Sequence, residues 1–109
     1  MNASLRELQV LLADRVRLLS KQLDDASDPE EAKKILDEMQ ELNHRVTLVG
    51  GLLFKEQSQE LDGKVEAVRR ARGKVDAAIK NIADLADMLQ TVSNFLALID
   101  EAIDLAKTL

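Results

Sequence analysis

Apolar side chains recur at a heptad spacing along the whole C-terminal half of the chain. From Leu61, alternating steps of three and four residues reach fourteen positions, of which thirteen are apolar and one, Lys64, is charged. A period of 3.5 residues kept over this length is typical of a helix whose apolar seam faces other helices. The pattern predicts one long helix, helix C, over residues of about 64–107.

The N-terminal segment carries a second apolar stripe at helical spacing. Its members are Leu5, Leu8, Leu12, Val16, Leu19 and Leu23. Ser4 and Glu7 have the spacing of a capping box, in which each side chain bonds the backbone amide of the other residue. These features predict helix A over residues of about 4–24.

A third helix, helix B, begins with strong capping signals. Asp28 has the position of an N-cap, Pro29 that of the first helical residue, and two glutamates follow. The apolar stripe is Ala32, Ile35, Met39, Leu42, Val46, Val49 and Leu53. Because this stripe passes through Gly50-Gly51 without a change of phase, we predict a continuous helix B over about 29–61. Two glycines cost roughly 2 kcal/mol relative to alanine inside a helix, so residues 50–51 are a weak point, and a turn there is the alternative.

Helix lengths lead to a prediction of self-association. In an antiparallel hairpin helix C outruns helix B, so its last residues, beyond about Leu96, overhang. The overhang is apolar on two sides, which indicates burial on two sides. Its second stripe forms the predicted interface with another copy of the chain: Phe95, Leu98, Ala102, Leu105 and Leu109. The alternative is a fourth helix that folds back near residues 91–94.

The predicted fold is therefore all-α. Residues 1–109 form one domain, an elongated antiparallel helical bundle of coiled-coil character. It has three long helices, or four if the chain folds back, and we expect oligomerisation to complete it. A homodimer is the expected assembly.

Charge and composition exclude several classes of function. The chain carries 15 basic and 20 acidic residues, a net charge of −5, whereas nucleic-acid binding needs a net basic face. The basic cluster at residues 69–74 has no aromatic companion. There is no cysteine, and the apolar charge-free run at residues 46–54 is too short to span a bilayer. We expect no nucleic-acid partner, no membrane partner and a soluble, cytoplasmic protein, with export by a signal-less route left open.

No residue pattern predicts a catalytic, cofactor or metal site. Glu41 and His44 match half of the Glu-x-x-His signature of di-iron bundles, but the heptad phase turns both toward water. Residues 8–19 are similar to the first helix of the all-helical chorismate mutases, and residues 28–31 resemble a later motif. That resemblance covers less than a third of the chain. It implies several cationic residues around a dicarboxylate substrate, and none can be placed beyond Arg15. We predict that the protein is not an enzyme.

The function that these observations favour is a non-catalytic protein–protein interaction or assembly module: an adaptor, a chaperone-like partner or an antitoxin-like binder. Its partner is another copy of itself or another helical protein. The first alternative is a small membrane-active or secreted helical protein that opens at a hinge or tip formed by Gly50 and Gly51. In its size and its central glycine the chain resembles secreted helical-hairpin proteins, but it lacks their Trp-x-Gly turn. The second alternative is an enzyme whose site is shared between subunits.

Overall fold

The computed structural model describes all 109 residues and contains four α-helices and no β-strand. The helices are α1 (Ala3–Asp25), α2 (Pro29–Gly50), α3 (Gln59–Lys80) and α4 (Leu85–Lys107). The molecule measures 45 × 22 × 17 Å. Its longest dimension therefore exceeds the length of one of its helices, which is about 34 Å. The predicted all-α, elongated helical bundle is confirmed, with four helices rather than three.

The predicted N-cap of α2 is present in the structure, whereas the predicted capping box of α1 is not. Asp28 is the N-cap of α2 and accepts a hydrogen bond from the amide of Glu30, with Pro29 directly after it. The capping box on α1 is wrong. Asn2 is the N-cap, and Ser4 and Glu7 instead contact side chains of α3. Side chains of the first turn of α1 therefore connect two helices rather than close one.

The continuous helix B is also wrong, because α2 ends at Gly50 and a turn follows. Asn2 anchors this turn: its backbone amide donates to the carbonyl of Leu53, and its side-chain amide donates to the carbonyls of Lys55 and Glu56. These bonds replace helical ones at the point where two glycines make the helix weakest. The predicted apolar stripe of helix B continues past Gly51 because Leu53, which lies in the turn, also packs on the core.

The single helix C is likewise wrong, and its break lies at residues 81–84 rather than at 91–94. Asn81 caps α3 by donating its amide to two preceding carbonyls, and Asp84 caps α4 by accepting from the amide of Asp87. Ile82 and Leu85 on either side of the reversal still pack on the core. Because both remain inward, the heptad phase passes through the turn unchanged.

The four helices form two antiparallel hairpins, α1–α2 and α3–α4, that lie side by side. Ser4 of α1 contacts Asp62 of α3 near the start of both helices, and Arg15 contacts Asp76 further along, so α1 and α3 run parallel. It follows that α2 and α4 also run parallel. Residues 51–58 cross one end of the bundle to join the hairpins.

One hydrophobic core runs through all four helices, and α2 contributes least to it. The fully buried residues of α2 are Ile35, Leu42 and Val49, one for every two turns, whereas α4 buries nine residues. The neighbouring stripe on α2, which includes Met39 and Val46, is only half-buried. Two exposed large apolar side chains, Val10 and Leu36, lie on α1 and α2.

Candidate functional site

The five residues predicted as a self-interface do not form one apolar surface. Phe95 and Ala102 are buried in the core of the same chain, at 1% and 0% exposure. Leu98 and Leu105 are half-buried against that core, and Leu109 follows the end of α4 and is exposed. The overhang from which the interface was inferred does not exist, because the turn at 81–84 folds α4 back along α3. Self-association itself stays a prediction.

The two glycines predicted as a hinge or tip end α2. Gly51 has right-handed helical backbone angles, φ −73° and ψ −11°, which any residue can adopt. The turn exposes Phe54 to 78%, and the Lys55 ammonium lies 5.4 Å from the centre of its ring. This segment is a tip of the bundle, anchored on both sides of Phe54 by Asn2.

A buried ion pair joins the two hairpins in the middle of the bundle. The Arg15 guanidinium, 5% exposed, donates to both carboxylate oxygens of Asp76 at 2.9 Å and to the carbonyl of Leu11 at 3.0 Å. Sequence reasoning missed the burial of Arg15 and its pairing with Asp76, although a signal was present: Arg15 continues the spacing of Leu8 and Leu12 toward Leu19. An arginine on a buried stripe needs a carboxylate partner, and α3 supplies it.

Two further ion pairs link the same two hairpins near the surface. Arg69 of α3 donates to both oxygens of Glu7 at 2.5 and 2.6 Å, and this hydrogen bonding lowers the pKa of the Glu7 carboxyl. Arg45 of α2 donates to both oxygens of Asp100 on α4 at 2.7 and 3.0 Å, which raises the pKa of Arg45. These charges have partners within the fold, so they act as clamps between hairpins.

The remaining charged motifs do not converge on a site. In the basic cluster at 69–74, Arg69 and Arg70 both pair with Glu66, which reduces its outward positive charge. Glu41 and His44 are exposed, as the heptad phase predicted. No group of three or more His, Cys, Asp or Glu side chains lies close enough together to hold a metal ion.

Two concave features exist, and the smaller lies between α3 and α4. This pocket has a volume of about 60 Å³, with Ala71, Val75 and Phe95 among its lining residues and Lys74 and Asn94 also contributing. The space equals that of a few water molecules, so it suits at most one small side chain of a ligand.

The larger feature is an open groove between α1 and α2, with a volume of about 400 Å³. Its lining residues are Arg6, Gln9, Val10, Ala13, Arg17 and Val46. Val10 is 45% exposed although it is a large apolar residue in a helix. The groove thus has apolar side chains along its length and an arginine near each end of its α1 side.

On α2 the apolar side of the groove continues beyond Val46. Leu36, Met39, Asn43 and Val46 are spaced by three, four and three residues, which places them along one strip of the helix. Leu36 is 44% exposed and Met39 half-buried. Arg6 and Arg17 are eleven residues apart on α1, so the groove is about 16 Å long, or three helical turns.

Gly50 and Gln9 set the shape of one end of the groove. The side-chain amide of Gln9 donates to the carbonyl of Val46 at 3.4 Å and so holds α1 to α2. A Cβ atom on Gly50 would lie 3.2 Å from the Gln9 nitrogen, so glycine at this position gives Gln9 room to cross. We call the surface made by residues 6, 9, 10, 13, 17, 36, 39 and 46 the α1–α2 groove.

Comparison of the chain with protein-family models, with curated proteins and with solved structures gives no significant match. None of the four helices combines the length and apolar character needed to cross a bilayer.

Proposed function

We propose that the protein is a non-catalytic protein–protein interaction module whose α1–α2 groove receives a helix of a partner. The observation that carries this proposal is the exposure of Val10 and Leu36, two large apolar side chains on facing helices, to 45% and 44%. A groove between two helices with apolar walls is a common receptor for an amphipathic helix, which inserts side chains spaced by three and four residues.

The dimensions of the groove favour a single helix over a second globular subunit. A strip about 16 Å long and one helix diameter, about 10 Å, wide covers roughly 160 Å² in projection. Stable protein interfaces bury about 800 Å² on each partner. A homodimer built on this groove alone would be too small, whereas a helix of about three turns matches its length.

The exposed apolar area also sets the expected affinity. Full burial of a Val or Leu side chain contributes about 1.5–3 kcal/mol, so covering the exposed parts of Val10 and Leu36 contributes roughly 2 kcal/mol in all. The conformational entropy that the partner helix loses on binding offsets part of the free energy gained from the remaining contacts. We expect weak, reversible binding, as in an adaptor rather than in an obligate complex.

The test uses a synthetic, hydrocarbon-stapled helix of four turns, with leucine at positions i, i+3, i+4 and i+7 and glutamine elsewhere. Its binding to the protein is followed by fluorescence anisotropy. We expect saturable binding that weakens at least about tenfold in Val10→Glu and in Leu36→Glu, since each substitution places a charge in the apolar groove. Ala67→Glu, which introduces the same charge on the exposed face of α3, is the matched control and should bind as the wild type does.

No saturable binding by the wild-type protein would reject the proposal. So would binding that neither groove substitution weakens. Circular dichroism on each variant checks that the helices are intact, which we expect because both positions are well exposed.

A second function, that of a membrane-active helical protein, is favoured by one specific observation. The turn after Gly51 exposes Phe54, one of only two aromatic residues in the chain, at a tip of the bundle beside Lys55. An exposed aromatic side chain near a lysine suits the boundary region of a bilayer. Leakage of dye from vesicles by the wild type, and its loss in Phe54→Ser, would support this function. Intact vesicles at micromolar protein would exclude it.

Self-association and a cytoplasmic location remain predictions. Light scattering on a sizing column over a range of concentrations measures the mass directly. A constant monomer mass would leave the groove free for a different protein. A dimer that Val10→Glu dissociates would make a second copy of the chain the occupant.

A further inference from the structure

The α1–α2 groove is bordered by positive charge, although the chain as a whole has a net charge of −5. Arg6 is exposed and donates to the side-chain oxygen of Gln9 at 2.6 Å, with no carboxylate partner. Arg17, whose side chain is 73% exposed, pairs with Asp14 on the same helix. Lys21 follows Arg17 one turn later and is also exposed. The α1 side of the groove is therefore a row of cations with one carboxylate behind it.

None of the residues that line the pocket between α1 and α2 is acidic, and Val46 is the one residue of α2 among them. Gln40 and Thr47 beside the Leu36–Val46 strip, and Asn43 within it, are neutral and exposed. Asp37 and Glu38 lie between Leu36 and Met39 in the sequence but are not among the residues that line the pocket, and Glu41 binds Arg45, which in turn binds Asp100 of α4 on the other side of the helix. The lining of the pocket thus combines two arginines with apolar side chains and contains no acid.

From this charge distribution we propose that the occupant of the groove is an amphipathic helix with acidic residues flanking its apolar stripe. The inference rests on the proposed function and adds the chemistry of the partner. The two arginines are eleven residues apart, about 16 Å, so carboxylates three turns apart on the occupant can meet both at once. The apolar residues between them would lie against Val10, Ala13 and Val46.

The acidic remainder of the protein adds selectivity. Like charges elsewhere on the surface repel an acidic partner, whereas the groove attracts it, so the field of the protein directs such a helix to one place. A basic amphipathic helix would meet the opposite distribution and would be attracted away from the groove.

The test compares three stapled peptides with the same leucine stripe and with glutamate, glutamine or lysine at the flanking positions. We expect the glutamate peptide to bind about five- to tenfold more tightly than the lysine peptide at low salt, because each exposed ion pair contributes modestly and two form. The difference should shrink in 0.5 M salt, since the Debye length then falls to about 4 Å, close to the separation of the charges in an ion pair.

Charge reversal provides the decisive variant. Arg6→Glu/Arg17→Glu should reverse the order of the glutamate and lysine peptides. The matched control, Arg70→Glu/Lys74→Glu on the outer face of α3, changes the net charge by the same amount and should keep the original order. Circular dichroism confirms the helix content of both double variants.

The outcomes separate this inference from the proposed function. Equal affinities for the glutamate and lysine peptides, with binding of the glutamine peptide still lost in Val10→Glu, would overturn the acidic partner and leave the groove as a helix receptor. Reversal of the order in the α3 control as well would also overturn it, because net charge rather than the rim would then decide. Failure of all three peptides to bind would overturn both.

Discussion

Removal of Asp76 is predicted to destabilise the protein far more than removal of its partner, Arg15. In Asp76→Ala the Arg15 guanidinium keeps its charge at 5% exposure, with the Leu11 carbonyl as its only remaining acceptor. In Arg15→Met the charge leaves the interior and a chain of similar length fills the space. The Asp76 carboxylate, 26% exposed, can then turn to water.

The magnitudes follow from burial. Breaking a buried ion pair and leaving one charge unpaired costs about 3–5 kcal/mol. Alanine is a better helix former than aspartate by roughly 0.5 kcal/mol, and Asp76 is already partly solvated, so we expect a net loss of about 2.5 kcal/mol for Asp76→Ala. For Arg15→Met we expect a loss of at most about 1 kcal/mol, since an apolar residue replaces a buried charge.

Urea unfolding followed by circular dichroism at 222 nm measures both losses, under the two-state behaviour expected of a domain of this size. Asp76→Ala should also lower the melting temperature by roughly 10–20 °C. Asp14→Ala, which breaks the exposed pair with Arg17, is the control and should change stability by less than about 0.5 kcal/mol. The reasoning is refuted if Arg15→Met costs as much as Asp76→Ala, or if Asp76→Ala costs no more than the control.

Three further predictions concern backbone and charge. Gly63→Ala and Gly73→Ala should each raise the free energy of unfolding by about 1 kcal/mol in urea titrations, because both lie in α3 with nothing within 4 Å of an added Cβ. A loss of stability would mean that the added methyl groups meet other atoms, so that this face of α3 is not open. Gly51→Ala should stabilise by about 0.4–1 kcal/mol in thermal melts, since its backbone angles suit alanine; a loss would indicate that the turn needs a freer hinge. Partial burial raises the pKa of the Glu38 carboxyl above its ordinary value of 4.5, so ionised Glu38 weakens the fold as the pH rises through the folded pKa. Glu38→Gln should therefore be more stable than the wild type at pH 7 and no more stable near pH 4, and a gain of equal size at both pH values would contradict the assignment.

Heptad spacing was sufficient to predict the helical class and most inward faces, because side-chain direction in a helix depends only on sequence separation. It could not predict the breaks. At 81–84 the chain reverses between two inward residues, Ile82 and Leu85, so the apolar period is the same as in an unbroken helix. The signals that marked the reversal were polar: Asn81 and Asp84 cap the helices on either side.

Gly50-Gly51 shows the same limitation of phase. The two glycines lower the helix propensity of this segment. The apolar stripe nevertheless continues to Leu53 in the same phase, and that continuity led to the prediction of an unbroken helix. The residue that decides the matter is Asn2, fifty residues away, whose three hydrogen bonds fix the turn. Such a contact depends on tertiary structure and has no local signal in the sequence.

The candidate site was not predictable for a related reason. Val10 lies off the buried stripe of α1, where a single exposed apolar residue is ordinary. Its meaning changes only when α2 brings Val46 alongside it. The residues that were predicted as an interface, Phe95 and Ala102 among them, are apolar enough for either a core or a contact surface. Because the turn at 81–84 folds α4 back along α3, Phe95 and Ala102 lie in the core.

The most direct test of the account is a map of backbone amide shifts by NMR while the glutamate-flanked peptide is added. Binding in the α1–α2 groove predicts that the largest shift changes fall on residues 6–17 and 36–46, with the outer face of α3 unaffected. Changes centred on α3 and α4, or no changes at millimolar peptide, would contradict the proposal that this groove is where the protein receives a partner.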